Sequence, residues 1–403
     1  MKYHDIKIKW MILGLLFVFI ASCTPIDSSI SEMASTYAAQ TRTAMAGADI
    51  EAVPPTETAT PEPAEEFTAT PLPTITGPVG PVDFPENVNP LTGQMVADPE
   101  ILERRPLFVK VANYPTSGRP HAGLSLADMV FEYYIGYGGN RFIAMFYGQD
   151  AEKIGPVRSG RMVDPYLVSL YEGVIGMESA YITIFDHIRD ILGDRIISGR
   201  DTCPALCDDG RNSVTSVFAN SQAMSTYAEN HGVVNQRYPL EGMVFDPQVP
   251  EDGETGDQAT ILFSNLNRGE WRFDEESGKY LRWIEDTSSG SLEMIPLVDR
   301  ETEEQLSFSN VIVIFANYTE VTLSLHEVDI WGNEAGQPAM IFRDGQAFDG
   351  SWATLDNTQP MRFYDQEGEI FSLKPGNTWV VIFGRTSDIT EDDGSWTFDF
   401  SIP

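Results

Sequence analysis

"PQVPEDGETGD", residues 247–257, separates two stretches of chain with different apolar patterning. It is acidic and carries two prolines and two glycines, the composition of a connector crossed by few contacts. Upstream, apolar runs suited to strands at 107–111, 129–135, 142–147, 173–177 and 195–197 alternate with helical periods. Ile182, Phe185, Ile188, Ile191 and Leu192 fall on one helical face, and 221–231 reads as a helix closed by Gly232. Downstream, short strand-like runs at 260–263, 270–273, 280–284, 311–318, 339–342, 362–364, 370–373 and 379–383 are joined by turn sequences, with Asp344-Gly345 as a hairpin turn. The fold class expected is α+β: an N-terminal α/β domain with a mixed sheet over 89–245, then a β-rich domain over 258–385. Residues 386–403 read as an acidic tail or an edge strand.

The N-terminus predicts a membrane address. Lys2, Lys7 and Lys9 precede an apolar run at 10–20, too short to span a bilayer, and Ile20-Ala21-Ser22-Cys23 looks like a bacterial lipobox. Residues 1–22 are then a lipoprotein signal peptide and Cys23 the acylated residue, with the protein lipid-anchored on the extracytoplasmic face of a cell membrane. Residues 23–88 read as a disordered tether. Between 54 and 76, 13 of 23 residues are Pro or Thr, which leaves too little apolar surface to offset the entropy of ordering. The only other cysteines, Cys203 and Cys207, are close enough in "CPALC" to form a local disulfide in an oxidising compartment.

A formal charge of −34, from 60 acidic and 26 basic residues, argues against nucleic-acid binding, because each approaching phosphate is repelled. No Gly-x-Ser-x-Gly elbow, phosphate-binding Walker loop, His-Glu-x-x-His or dinucleotide fingerprint is present, and the histidines show no ligand spacing, so neither a cofactor nor a metal is expected. The cations in "GPVRSGR" (155–161) stand out against this background. Arg158, Ser159 and Arg161 follow one strand, and Arg141 begins another after "YGGN". Adjacent strand ends would bring three guanidinium forks and a hydroxyl to one anion, with Glu132 as the internal partner that orients them. The competing arrangement has Asp128, Glu132, Asp164 and Glu178 neutralising these arginines one by one. In "RPHAGLSLAD" (119–128), Ser125 and Asp128 have the spacing of a helix-capping pair, and His121 is a candidate general base.

"NPLTG" (89–93), "RPLFVKVANYP" (105–115), the run from Arg119 to Tyr147, "KIGPVRSGR" (153–161), "NVIVIFANY" (310–318), "FRDGQAFDGSW" (342–352) and "RFYDQEGEIFSLKPGNTWV" (362–380) together resemble the YerB-like bacterial lipoproteins. That resemblance spans most of 89–383 and implies a pair of domains of unknown function, with no reaction attached. Two stretches depart from it. "RNSVTSVF" from Arg211 stands where relatives carry a Pro-His-Asn sequence, and "VIGMES" (174–179) where a His- and Gly-containing strand end is usual. If those His or Asn residues carry chemistry in relatives, the resemblance implies that this chain binds without reacting. The function expected is a binding module for a cell-wall component or small anionic ligand. The alternatives are a hydrolase or transferase acting on cell-wall glycan or peptide, with carboxylates drawn from Glu132, Glu178 and Asp186, and a scaffold for envelope proteins.

Overall fold

The computed structural model describes residues 74–288 and 293–403. The expected signal peptide, Cys23 and the expected tether up to residue 73 lie outside the described residues. Among those described, most of the apolar runs identified above form strands, and the protein is sheet-rich with three α-helices.

The main sheet has eleven strands and draws on both sides of the 247–257 connector. In chain order they are β1 (Leu107–Ala112), β2 (Met129–Gly136), β3 (Gly139–Phe146), β4 (Val174–Met177), β5 (Ile196–Ser198), β6 (Glu254–Thr255), β7 (Asn310–Ala316), β8 (Asn333–Arg343), β9 (Gln346–Thr354), β10 (Arg362–Tyr364) and β11 (Thr378–Gly384). Their spatial order is β10-β9-β8-β7-β11-β2-β3-β1-β4-β5, with β6 paired to β9. β11 is the junction, running parallel to β7 on one side and to β2 on the other. The two stretches that differ in patterning therefore share one hydrogen-bonded sheet. β1, β7 and β11 are buried at every residue, as strands covered on both faces must be. The α/β character is confined to one edge, where β4, helix α2 (Ile182–Leu192) and β5 form a parallel unit.

One face of this sheet packs on a second sheet. Strands Gln258–Ser264, Asn267–Asp274 and Lys279–Glu285 contribute Ile261, Trp271 and Tyr280 to a core with Val130, Phe142 and Trp379. The other face is covered by α1 (Asp164–Leu170), α2 and the hairpin Tyr318–Thr322/Leu325–Val328, while α3 (Ser221–Asn230) joins the first core through Met224 and Ala228.

Several expectations change. Part of the segment expected as tether is ordered: Val79 exchanges backbone hydrogen bonds with Phe245 at 2.8 and 2.9 Å, so folded chain is present before Asn89. The last residues are not a loose tail; the edge strand expected there forms, with Asp388–Asp392 outermost in the second sheet. They form the hairpin Asp388–Asp392/Ser395–Asp399, whose second strand pairs parallel with Gln258–Ser264 and buries Phe398 completely. Ser125 caps no α-helix; its amide and hydroxyl both donate to Asp299 Oδ2 at 2.9 Å, and only a single 3-10 turn forms. Ile182 is exposed at the first turn of α2, where Ile184, Ile188 and Leu192 face the core instead.

Candidate functional site

The arginines of the 155–161 loop and of β3 meet on the helix-covered face of the main sheet. β3 directs Arg141 to the same face as Ile143 and Met145, directly opposite Tyr133 of β2. On the other side β1 brings Ala112 opposite Arg141, and two residues back Lys110 points to this face too. The 155–161 loop is laid along β1 and β4 by main-chain bonds: Arg158 N donates to Lys110 O at 2.8 Å, Glu178 N to Arg158 O at 3.1 Å, and Gly160 N to Ser179 O at 2.8 Å. Arg158, Ser159 and Arg161 are thereby carried to the end of β4, beside Arg141.

The three guanidinium groups are short of carboxylates. Arg141 Nη1 donates to Ser159 O at 2.9 Å and Arg161 Nη1 to Gly160 O at 3.4 Å, both backbone acceptors. Arg158 donates to Val214 O at 3.2 Å and has Glu178 at 3.7 Å, a carboxylate that also pairs with Arg200. The buried Nε atoms of Arg141, Arg158 and Arg161 make no hydrogen bond. Burial, then the adjacent charges of Arg161 and Arg158, push Arg141 down to about 9, and burial likewise lowers Arg161. Ser159 Oγ lies 3.1 Å from Ser179 Oγ at the exposed rim, and the Arg158 side chain keeps 17% of its surface in solvent. Three guanidinium groups are thus held together, with buried Nε atoms left unpaired beneath a partly exposed rim at Arg158 and Ser159.

Beneath them is a buried triad that the sequence reading overlooked. Lys110 Nζ donates to Tyr133 OH and, at 3.2 Å, to Asp164 Oδ1; Tyr133 OH donates to the same Asp164 oxygen. Asp164 Oδ2 accepts from Arg161 N at 2.6 Å. Burial is the main influence lowering Lys110 to about 7, with Asp164 opposing it and Arg141 and Arg161 adding to it. The available signal was a lone lysine in the apolar run "PLFVKVA", because a charge in a fully buried strand requires a partner.

Glu132 does not orient the arginines. It faces the second sheet, where both carboxylate oxygens accept from Arg282 Nη2 at 3.1 Å, Oε2 accepts from Trp379 Nε1 at 2.8 Å, and Oε1 accepts from Asn140 Nδ2. Glu178 pairs with Arg158 and Arg200, and Asp186 pairs with Arg189 on the surface of α2, so these three carboxylates are each taken up by a separate cation. His121 is fully buried and bonded to Ala112 O at 2.8 Å; burial lowers it to about 3, which keeps it neutral and removes it as a general base. Asp128 staples loops, accepting from Asn89 Nδ2 at 2.7 Å and from the amides of Tyr147 and Gly148 at 2.5 and 3.1 Å. Cys203 and Cys207 are joined by a disulfide. Among the described residues no cluster of His, Cys, Asp or Glu is arranged to hold a metal ion, and no helix is long and apolar enough to cross a membrane.

Two cavities lie away from the arginines. One of about 490 Å³ is walled by Asp246, Glu251, Asp252, Asp349 and Asp365. Another of about 410 Å³ lies between Ile75, Asn89, Gln94 and Asp128.

Residues 91–234 match the family model described as "Protein of unknown function (DUF3048) N-terminal domain", and residues 259–380 match its C-terminal domain. The chain belongs to this YerB-like family. One relative, "Putative lipoprotein YerB" of Bacillus subtilis (strain 168), is 28% identical over 310 residues, covering 73% of this chain and 85% of that protein. The crystal structure of the YerB protein from Bacillus subtilis has the same fold, with a TM-score of 0.60 at 22% identity over 73% of this chain and 96% of that one. The two matched segments of the YerB-like family meet along the pairing of β2 with β11.

Proposed function

We propose that this chain is a lipid-anchored, extracytoplasmic binding protein whose arginine site holds an anionic ligand of the cell envelope. The observation that carries the reading is the convergence of Arg141, Arg158 and Arg161, with three buried Nε donors unused, in a protein whose charge is −34. An acidic protein gains nothing in stability by gathering like cations, and an arriving oxyanion would relieve their repulsion. The lipobox at 20–23 and the name of the Bacillus relative support the anchor.

Two experiments test the reading. In a thermal-shift screen of wall fragments, phosphorylated sugars and dicarboxylates, a ligand should raise the melting temperature of the wild type and leave Arg158→Ala unmoved. No shift of the wild type by any anion would end the binding proposal. Cys23→Ser should move the protein from the membrane fraction to the soluble fraction, and unchanged membrane association would remove the anchor.

A further inference from the structure

The lysine beneath the arginines gives that anion site a proton, an inference that rests on the binding reading above. Lys110 is enclosed on every side. It faces Tyr133 from β2, Arg141 from β3, Arg161 from the 155–161 loop and Asp164 from α1, with His326 of the 325–328 strand close behind Arg161. Its side chain has no solvent exposure. Burial disfavours the ammonium charge most, Asp164 attracts it, and Arg141 and Arg161 repel it, which together leave Lys110 at about 7. An anion resting on Arg141 and Arg161 would cancel the repulsion and leave the attraction of Asp164 in place, and the balance then tips toward the ammonium form.

We propose that Lys110 is the proton-accepting floor of the arginine site: when an oxyanion docks on Arg141, Arg158 and Arg161, Lys110 Nζ takes up one proton from solvent. Linkage makes the effect reciprocal, since protonating Lys110 must tighten anion binding by the same factor. Affinity for an anion of fixed charge then falls as pH rises above the Lys110 value, by up to about tenfold per pH unit.

Inorganic sulfate is the probe, because its own charge does not change near neutral pH. Calorimetry on the full chain, in two buffers of different ionisation enthalpy, should show uptake of up to one proton per sulfate. The Lys110→Met variant should bind sulfate with no proton uptake and with an affinity that is flat in pH. A second readout avoids any folding defect of that variant: the NMR titration of the wild-type Lys110 side chain should move to higher pH when sulfate is added, and also in Arg161→Gln without sulfate. Sulfate binding with no proton uptake and an unmoved Lys110 titration overturns the coupling and leaves the anion site standing. No sulfate binding, together with a Lys110 titration indifferent to Arg161→Gln, overturns both.

Discussion

Replacing Glu132 with Ala tests whether a buried ion pair ties the two sheets together. Glu132 and Arg282 each keep only 1% of their side-chain surface in solvent, and Arg282 lies against the rings of both Trp271 and Trp379, 4.9 and 5.3 Å from their centroids. The described side-chain hydrogen bonds of Arg282 all go to Glu132, while its Nε and Nη1 have no partner. Removing Glu132 therefore strands a guanidinium charge in an aromatic core and also frees Trp379 Nε1 and Asn140 Nδ2. Breaking one side of such a pair costs about 3–5 kcal/mol, which in a body of this size lowers the melting temperature by on the order of 10 °C. Urea unfolding followed by circular dichroism measures the loss as a shift in midpoint at constant slope. The paired variant Glu132→Met/Arg282→Met removes both charges and should recover most of the stability, because apolar replacement of a whole buried pair is often close to neutral. A single change costing less than about 1 kcal/mol, or a double variant as unstable as the sum of its singles, would refute the claim that charge burial sets the penalty.

Two further outcomes follow from the same contacts. Lys110 holds its proton to about 7 in the folded protein against an ordinary value of 10.5, so between these values the unfolded chain carries more protons and stability should rise with pH, by up to about 1.4 kcal/mol per unit. Urea midpoints at three pH values check this, and the slope should flatten in Lys110→Met. Deleting 386–403 uncovers Gln258–Ser264 and removes Phe398 and Trp396 from the core, a loss on the order of 5 kcal/mol or more; an unchanged thermal melt would show the hairpin to be dispensable.

The strands were legible because each is a short apolar run bounded by turn residues, a local signal. Their partners were not. β2 pairs with β11, more than two hundred residues away, and nothing within 129–136 specifies that neighbour. The 247–257 run has the composition of a connector with few contacts, yet Glu254 and Thr255 add a short strand to β9. Polar composition excludes a segment from the core without excluding it from a sheet edge, where main-chain bonds suffice. The C-terminal residues left a tail and an edge strand both open because their acids read as solvent-exposed; the alternation of Ser395, Thr397 and Asp399 with Trp396 and Phe398 is what turns the two rings toward the core.

The placement of Glu132 turned on one residue. Tyr137 and Gly138 both have positive φ, 53° and 72°, and close a two-residue hairpin between Gly136 and Gly139. Counting back in regular register would pair Tyr134 with Arg141, which puts Glu132 on the arginine face. The register instead shifts between Tyr134 and Gly136, so Tyr134 pairs with Asn140 and Tyr133 with Arg141. That bulge exchanges the two faces of β2. Glu132 is delivered to Arg282 in the second sheet, and Tyr133 is delivered to Lys110 and Asp164 beneath the arginines. One irregularity in the hairpin thus produces both the ion pair between the sheets and the shortage of carboxylates around Arg141, Arg158 and Arg161. With Glu132 turned away, the buried Nε atoms of those cations keep no hydrogen-bond partner.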